Sequence, residues 1–95
     1  MITTKQRAKL RAMANRLPSV LQIGKNGISD EVIAQVAQTI LPNELIKISV
    51  LETAPVTARE AAQLLAGALD AEIVQVIGMK LVLYKQNKEE PVIEL

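Results

Sequence analysis

A chain of 95 residues holds one folded core, and its lack of His and Cys excludes disulfides, thiolate nucleophiles and the commonest general base. No apolar run approaches the ~18–20 residues that span a bilayer, and no secretory apolar segment follows the first charges. The formal charge of +1 conceals a division: residues 1–27 carry Lys5, Arg7, Lys9, Arg11, Arg16 and Lys25 without an acid, and all ten acids follow. A positive field focused on one segment selects a polyanionic partner. An acid-free start also fits an organelle transit peptide, but the first eighteen residues contain no Ser and run straight into patterned sequence. The expected location is the cytoplasm.

Thr3 and Gln6 form a capping box, and Leu10, Met13, Ala14 and Leu17 follow the spacing of one buried helical face as far as Pro18. On a helical projection Lys5, Lys9 and Arg16 line one flank of that stripe, and Arg7 and Arg11 line the other. Val20-Leu21-Gln22-Ile23 reads as a strand entering the loop Gly24-Lys25-Asn26-Gly27. Ser29 caps the second helix, Asp30 and Glu31 suit its first turn, and Ile28 and Ile33 form a hydrophobic staple. Its core face is Ile33, Val36, Ala37 and Ile40, and Pro42-Asn43 closes it.

Leu45 to Leu51 alternates, with Ile46, Ile48 and Val50 opposite Lys47 and Ser49, as a strand does. Thr57 and Glu60 open a third helix with Ala61, Leu64, Leu65 and Ala68 inward, weakened at Gly67 by ~1 kcal/mol relative to Ala. Glu72–Ile77 and Lys80–Lys85 are strands joined by Gly78-Met79, a pair suited to a type II′ turn.

The order α-β-α-β-α-β-β predicts an α+β, α/β-like fold: a four-stranded mixed sheet, with crossover helices and a closing antiparallel hairpin, covered by three helices. Residues 1–86 form the domain, and residues 87–95 form a tail that either docks weakly or frays.

Catalytic readings find little support. Asp30-Glu31 is helix-start charge and Glu89-Glu90 belongs to the tail, so the acids suggest no catalytic pair, metal or cofactor. The glycine-bracketed loop is neither a Walker A motif nor a dinucleotide fingerprint. Its glycines allow close approach to a ligand, Lys25 adds charge and Asn26 adds donors and an acceptor, a set able to clamp a sugar-phosphate backbone. A plain strand-to-helix turn uses the same residue types, and Asp30 and Glu31 would repel a phosphate facing them. The acid-free surroundings favour binding.

Lys5-Gln6-Arg7, Gly24-Lys25-Asn26-Gly27-Ile28, Glu44-Leu45-Ile46-Lys47 and Val74-Gln75-Val76-Ile77-Gly78 with Leu81-Val82-Leu83-Tyr84 resemble the YhbY-like family. That family is the stand-alone bacterial form of the CRM (chloroplast RNA splicing and ribosome maturation) domain. The resemblance runs from residue 3 to about 86. It implies an RNA-binding domain similar to the C-terminal domain of translation initiation factor three, and association with large-subunit ribosomal precursors. The implied contacts are Gly24, Lys25, Asn26 and Gly27 of the loop and Lys5, Arg7, Lys9, Arg11 and Arg16 of the first helix, with Lys80 beside the hairpin. Two positions depart from the family pattern: Met79 where a basic residue is common, and Asp70 where the third helix often ends in Gly.

Tyr84 is the only aromatic residue, so base stacking on rings cannot dominate, although three early arginines could each cover a base. The expected partner is structured RNA, above all ribosomal RNA or pre-ribosomal particles, met by a monomer with no membrane or small-molecule substrate. The alternative is a protein-interaction module whose basic helix docks an acidic partner. Self-association through a sheet edge is a third possibility.

Overall fold

Helix starts in this chain are fixed by side-chain oxygens that replace missing intrahelical acceptors. In the computed structural model, which describes residues 2–95, Thr3 and Thr57 each complete a capping box and Ser29 accepts from the Val32 amide. The elements are α1 (Thr4–Ala14), β1 (Ser19–Ile23), α2 (Asp30–Asn43), β2 (Leu45–Val50), α3 (Ala58–Leu69), β3 (Glu72–Ile77) and β4 (Lys80–Tyr84). The strand order is β1-β2-β4-β3. β1 runs parallel to β2, and β4 lies antiparallel to both β2 and β3. The mixed four-stranded sheet and three helices expected from the sequence are present, with β4 inserted between β2 and β3.

The period-two pattern of the strands sorts the core into two layers. Ile46, Ile48 and Val50 of β2 and Leu81 and Leu83 of β4 pack with α2 and α3 through Val36, Ile40, Ala61, Ala62 and Leu65. On the opposite face Leu45, Val74, Val82 and Tyr84 pack beneath Leu10 and Ala14 of α1, with Ile2, Leu17 and Ile93 around them. A register shift between Ile73 and Gln75 turns Val74 into this second layer.

Several local expectations change. α1 stops at Ala14, Leu17 lies beyond it, and Met13 is exposed, because the buried stripe is narrow and centred on Leu10 and Ala14. The face of α3 is rotated: Ala58 and Ala62 are buried, whereas Leu64 and Ala68 point outward. Small residues here let the helix approach the sheet closely. Pro42 does not close α2 but sits inside its last turn, where Asn43 Nδ2 donates to Thr39 O at 2.7 Å. The helix ends at Asn43, as expected, and is capped by Glu44, a non-glycine residue at φ 62° whose amide donates to Ile40 O. Tyr84, the single aromatic residue, is buried, in keeping with the expectation that ring stacking does not dominate.

Residues beyond β4 dock against the body. Glu44 is fully buried, and its carboxylate accepts from the amides of Asn87, Val92 and Ile93 at 2.6 Å each. Burial pushes this carboxyl up, but the three amide donors outweigh it and hold the group below its usual range. Tyr84 is pushed the other way, upward, by its own burial and by the Glu44 charge.

Candidate nucleic-acid interface

The position of α1 decides which cations share a surface. Its first residues lie at the β3 edge, where Ile2 N donates to Glu72 Oε1 and Arg7 Nε donates to Ile73 O at 3.3 Å. From there it crosses toward β1, over the end of the sheet where Leu45 and Glu72 both pair with Tyr84. Among the described residues, no helix covers the other half of that face. Gln22, Lys47, Ser49, Gln75, Ile77 and Lys80 point out of it, and none of them is buried.

The two flanks of α1 therefore meet different surroundings. The flank bearing Arg7 and Arg11 lies away from the tail: Arg7 reaches Ile73 O of β3, and Arg11 is exposed. The flank bearing Lys5 and Lys9 faces the docked tail, and Lys9 Nζ donates to Glu94 O at 2.8 Å. The ten candidates read from the sequence thus do not form one patch. Lys80 lies on the open face and Lys25 on the adjoining loop; Arg7 reaches the β3 edge at Ile73 O, Lys9 meets the tail, and Arg16 lies past the end of α1. Among the described residues, Arg11, Arg16, Lys25, Lys47 and Lys80 have no hydrogen-bond or ion-pair partner, so their charges are open to solvent.

Lys47 is the cation that sequence reading passed over. Alternation placed it opposite the main core, where it looked like an ordinary solvated strand residue. Its pairing with Val82, two residues from the exposed Lys80 and on the same face of the strand, puts both lysines on the open half of the sheet.

The loop Gly24–Gly27 is a tight turn at the same end of the sheet, closed by the Gly27 amide donating to Gly24 O at 2.9 Å. Lys25 and Asn26 occupy its exposed tip. The bracketing glycines differ in role. Gly27 has φ +64°, and a Cβ there would lie 2.9 Å from Pro55 Cγ, so architecture alone requires glycine. Gly24 does not take a positive φ, and a Cβ would meet only Leu51 Cδ1 at 3.8 Å. The start of α2 next to the loop is already served by the Ser29 hydroxyl, 3.2 Å from the Val32 amide, and carries Asp30 and Glu31. Attraction for an anion at this end rests on Lys25. Among the described residues there is no cluster of acids able to hold a metal, and no helix is long and apolar enough to cross a membrane.

Comparison with known proteins gives a consistent result. The family model for the CRS1 / YhbY (CRM) domain matches residues 2–85. A Bacillus subtilis relative named "Probable RNA-binding protein YqeI" is 40% identical, covering 100% of this chain and 99% of its own. A Haemophilus influenzae protein named "RNA-binding protein" is 35% identical across 93% of this chain and 89% of its own. The solution structure of SAV1595 from Staphylococcus aureus, described as a candidate RNA-binding protein, superposes with a TM-score of 0.83 at 41% identity. It covers 100% of this chain and 99% of that one. These relatives are named for RNA binding rather than for a reaction.

Proposed function

The chain belongs to the CRS1/YhbY (CRM) domain family, and from that premise we propose that it binds structured RNA through the open half of its sheet face. The observation carrying this reading is that Lys47 and Lys80 share the open half of the sheet face, where the neighbouring strand residues Gln22, Ser49, Gln75 and Ile77 are uncharged, with Lys25 on the adjoining loop and Arg7 and Arg11 on the helix that covers the other half. In this reading Arg7 and Arg11 supply one wall, Lys47 and Lys80 the floor, and Lys25 the far end of the contact surface. Such a trough meets phosphates along a backbone and reads shape more than base sequence. The amides of Gln22 and Gln75 and the hydroxyl of Ser49 add neutral hydrogen-bonding groups suited to ribose hydroxyls.

In this reading the partner is ribosomal RNA in precursors of the large subunit, met in the cytoplasm by a monomer. The conclusion draws on family membership for the ribosomal assignment and on the cationic face for the mode of contact. Titration of a folded RNA against salt tests it. Five phosphate contacts give a slope of log K against log salt of about −4. A slope no steeper than about −1 overturns the electrostatic reading. Co-sedimentation with pre-ribosomal particles that persists after RNase digestion would instead favour docking on an acidic protein.

A further inference from the structure

The end of the sheet beside the glycine loop carries a second feature that phosphate binding does not use. A hollow of about 400 Å³ opens between the β2–α3 connection and the β3–β4 turn. Its walls include Leu51, Pro55, Val56 and Met79, and Glu52 and Glu60 lie at its polar margin. Leu51 and Met79 remain 40% and 46% exposed, so the hollow holds apolar surface in contact with water. The turn is tied to the sheet there by the Val50 amide, which donates to Met79 O at 2.7 Å.

Charge brackets this hollow. The glycine loop packs on one wall, with Gly24 beside Leu51 and Gly27 beside Pro55, and it carries Lys25. Lys80 follows Met79 on the other side and points onto the cationic face. An apolar cleft with the Glu52 carboxylate as a free acceptor on its lining, and the Glu60 carboxylate already accepting from the Thr57 amide, lies between two cation-bearing segments and matches one chemical unit closely. That unit is a nucleobase: flat and apolar on its faces, bearing N–H donors on its edge, and tied on both sides to phosphates. The volume exceeds the ~300 Å³ at which small-molecule pockets begin. The thioether of Met79 is a polarizable surface for an aromatic ring, available in a chain whose one aromatic side chain is buried elsewhere.

We propose that this hollow receives an unpaired purine base of the bound RNA, so that the favoured target is a helix interrupted by a bulged or looped nucleotide rather than a continuous duplex. The inference rests on the RNA-binding reading and adds a contact independent of salt. Burying the apolar walls against a base gives a preference of about tenfold for the interrupted helix.

The test compares two RNA hairpins differing by one bulged adenosine, titrated at several salt concentrations. The wild-type chain should bind the bulged hairpin about tenfold more tightly, with the same salt slope for both. Leu51→Ala combined with Met79→Ala should reduce that preference to under about twofold while leaving duplex affinity and slope unchanged. Both side chains are partly exposed, and the melting temperature verifies that the variant is folded. Met79→Lys separates hollow from charge: added charge alone strengthens binding to both hairpins, whereas a blocked hollow also abolishes the preference. Equal wild-type affinity for the two hairpins, or a preference retained by either variant, overturns the proposal while leaving RNA binding intact. Failure of the wild-type chain to bind either hairpin overturns the RNA-binding reading, and this inference with it.

Discussion

Gly27 lies against Pro55 so closely that a methyl group on it would come 2.9 Å from the proline Cγ, in a backbone conformation of φ +64°. The second glycine of the bracketed loop is therefore needed to build the turn. Gly27→Ala should cost about 2–3 kcal/mol of folding stability through the left-handed backbone and the overpacked contact. Gly24→Ala should change stability by less than about 1 kcal/mol, because its backbone and its surroundings accept a methyl group. If RNA approaches this backbone, Gly24→Ala weakens binding without lowering the melting temperature. Unchanged affinity in that variant shows that the loop contributes only Lys25.

The two flanks of α1 should behave differently on RNA. Arg11→Ala removes a free cation on the flank away from the tail and should lower the salt slope by about one. Lys9→Ala removes an ammonium already donating to Glu94 O behind the helix, so its effect on slope should be clearly smaller. Lys47→Ala should match Arg11→Ala. Parallel titrations of the three variants decide the matter, and equal effects of Lys9 and Arg11 would refute the one-sided surface.

Acid should loosen the tail through Glu44. Because its folded pKa is lowered, the stability it contributes is complete above the ordinary carboxylate value of about 4.3 and is lost as pH falls through the lowered value. Amide exchange at Asn87, Val92 and Ile93 should quicken over that window relative to the rest of the chain. Glu44→Gln should cost about 2–3 kcal/mol at neutral pH, since an amide cannot present two acceptor oxygens to three donors. Urea unfolding measures it.

Tyr84 reports on the same region. Its phenol should ionise above the ordinary value of about 10, and Glu44→Gln should lower that midpoint by removing the nearby negative charge. The raised folded value means that the associated stability holds below the unfolded pKa and fades as pH rises past it. With no other Tyr or Trp in the chain, the tyrosinate absorbance is unambiguous.

Asp70 ends α3 in the left-handed conformation, at φ 55° and ψ 44°, where glycine is the usual choice. Asp70→Gly should raise stability by about 0.5–1 kcal/mol, net of the added freedom of the unfolded chain. Thermal melting checks the sign.

The sequence made the element order, all three N-caps and the basic first helix legible because those signals are local: a capping residue, an apolar period, a run of like charge. It did not expose the division of α1's cations. That depends on where the helix crosses the sheet and on the tail occupying one side, both set by contacts between residues far apart in the chain such as Arg7 with Ile73 and Lys9 with Glu94. Glu44 escaped for the same reason. A carboxylate between a helix and a strand looks solvated until the backbone donors closing over it arrive from more than forty residues away. The rotated face of α3 has another cause: in a segment rich in alanine, several faces offer nearly the same apolar period.

The two sides of the sheet are not equally anchored. α2 and α3 seal one side with an extensive aliphatic core, whereas α1 rests on a few side chains and is braced by the tail and the buried Glu44 carboxylate. Partial opening should therefore begin with α1 and the tail, as a separate cooperative unit, at a free energy below that of global unfolding. The layer carrying Arg7 and Arg11 would then be the more easily remodelled tier, riding on a scaffold that stays folded while its ligand-facing layer adjusts.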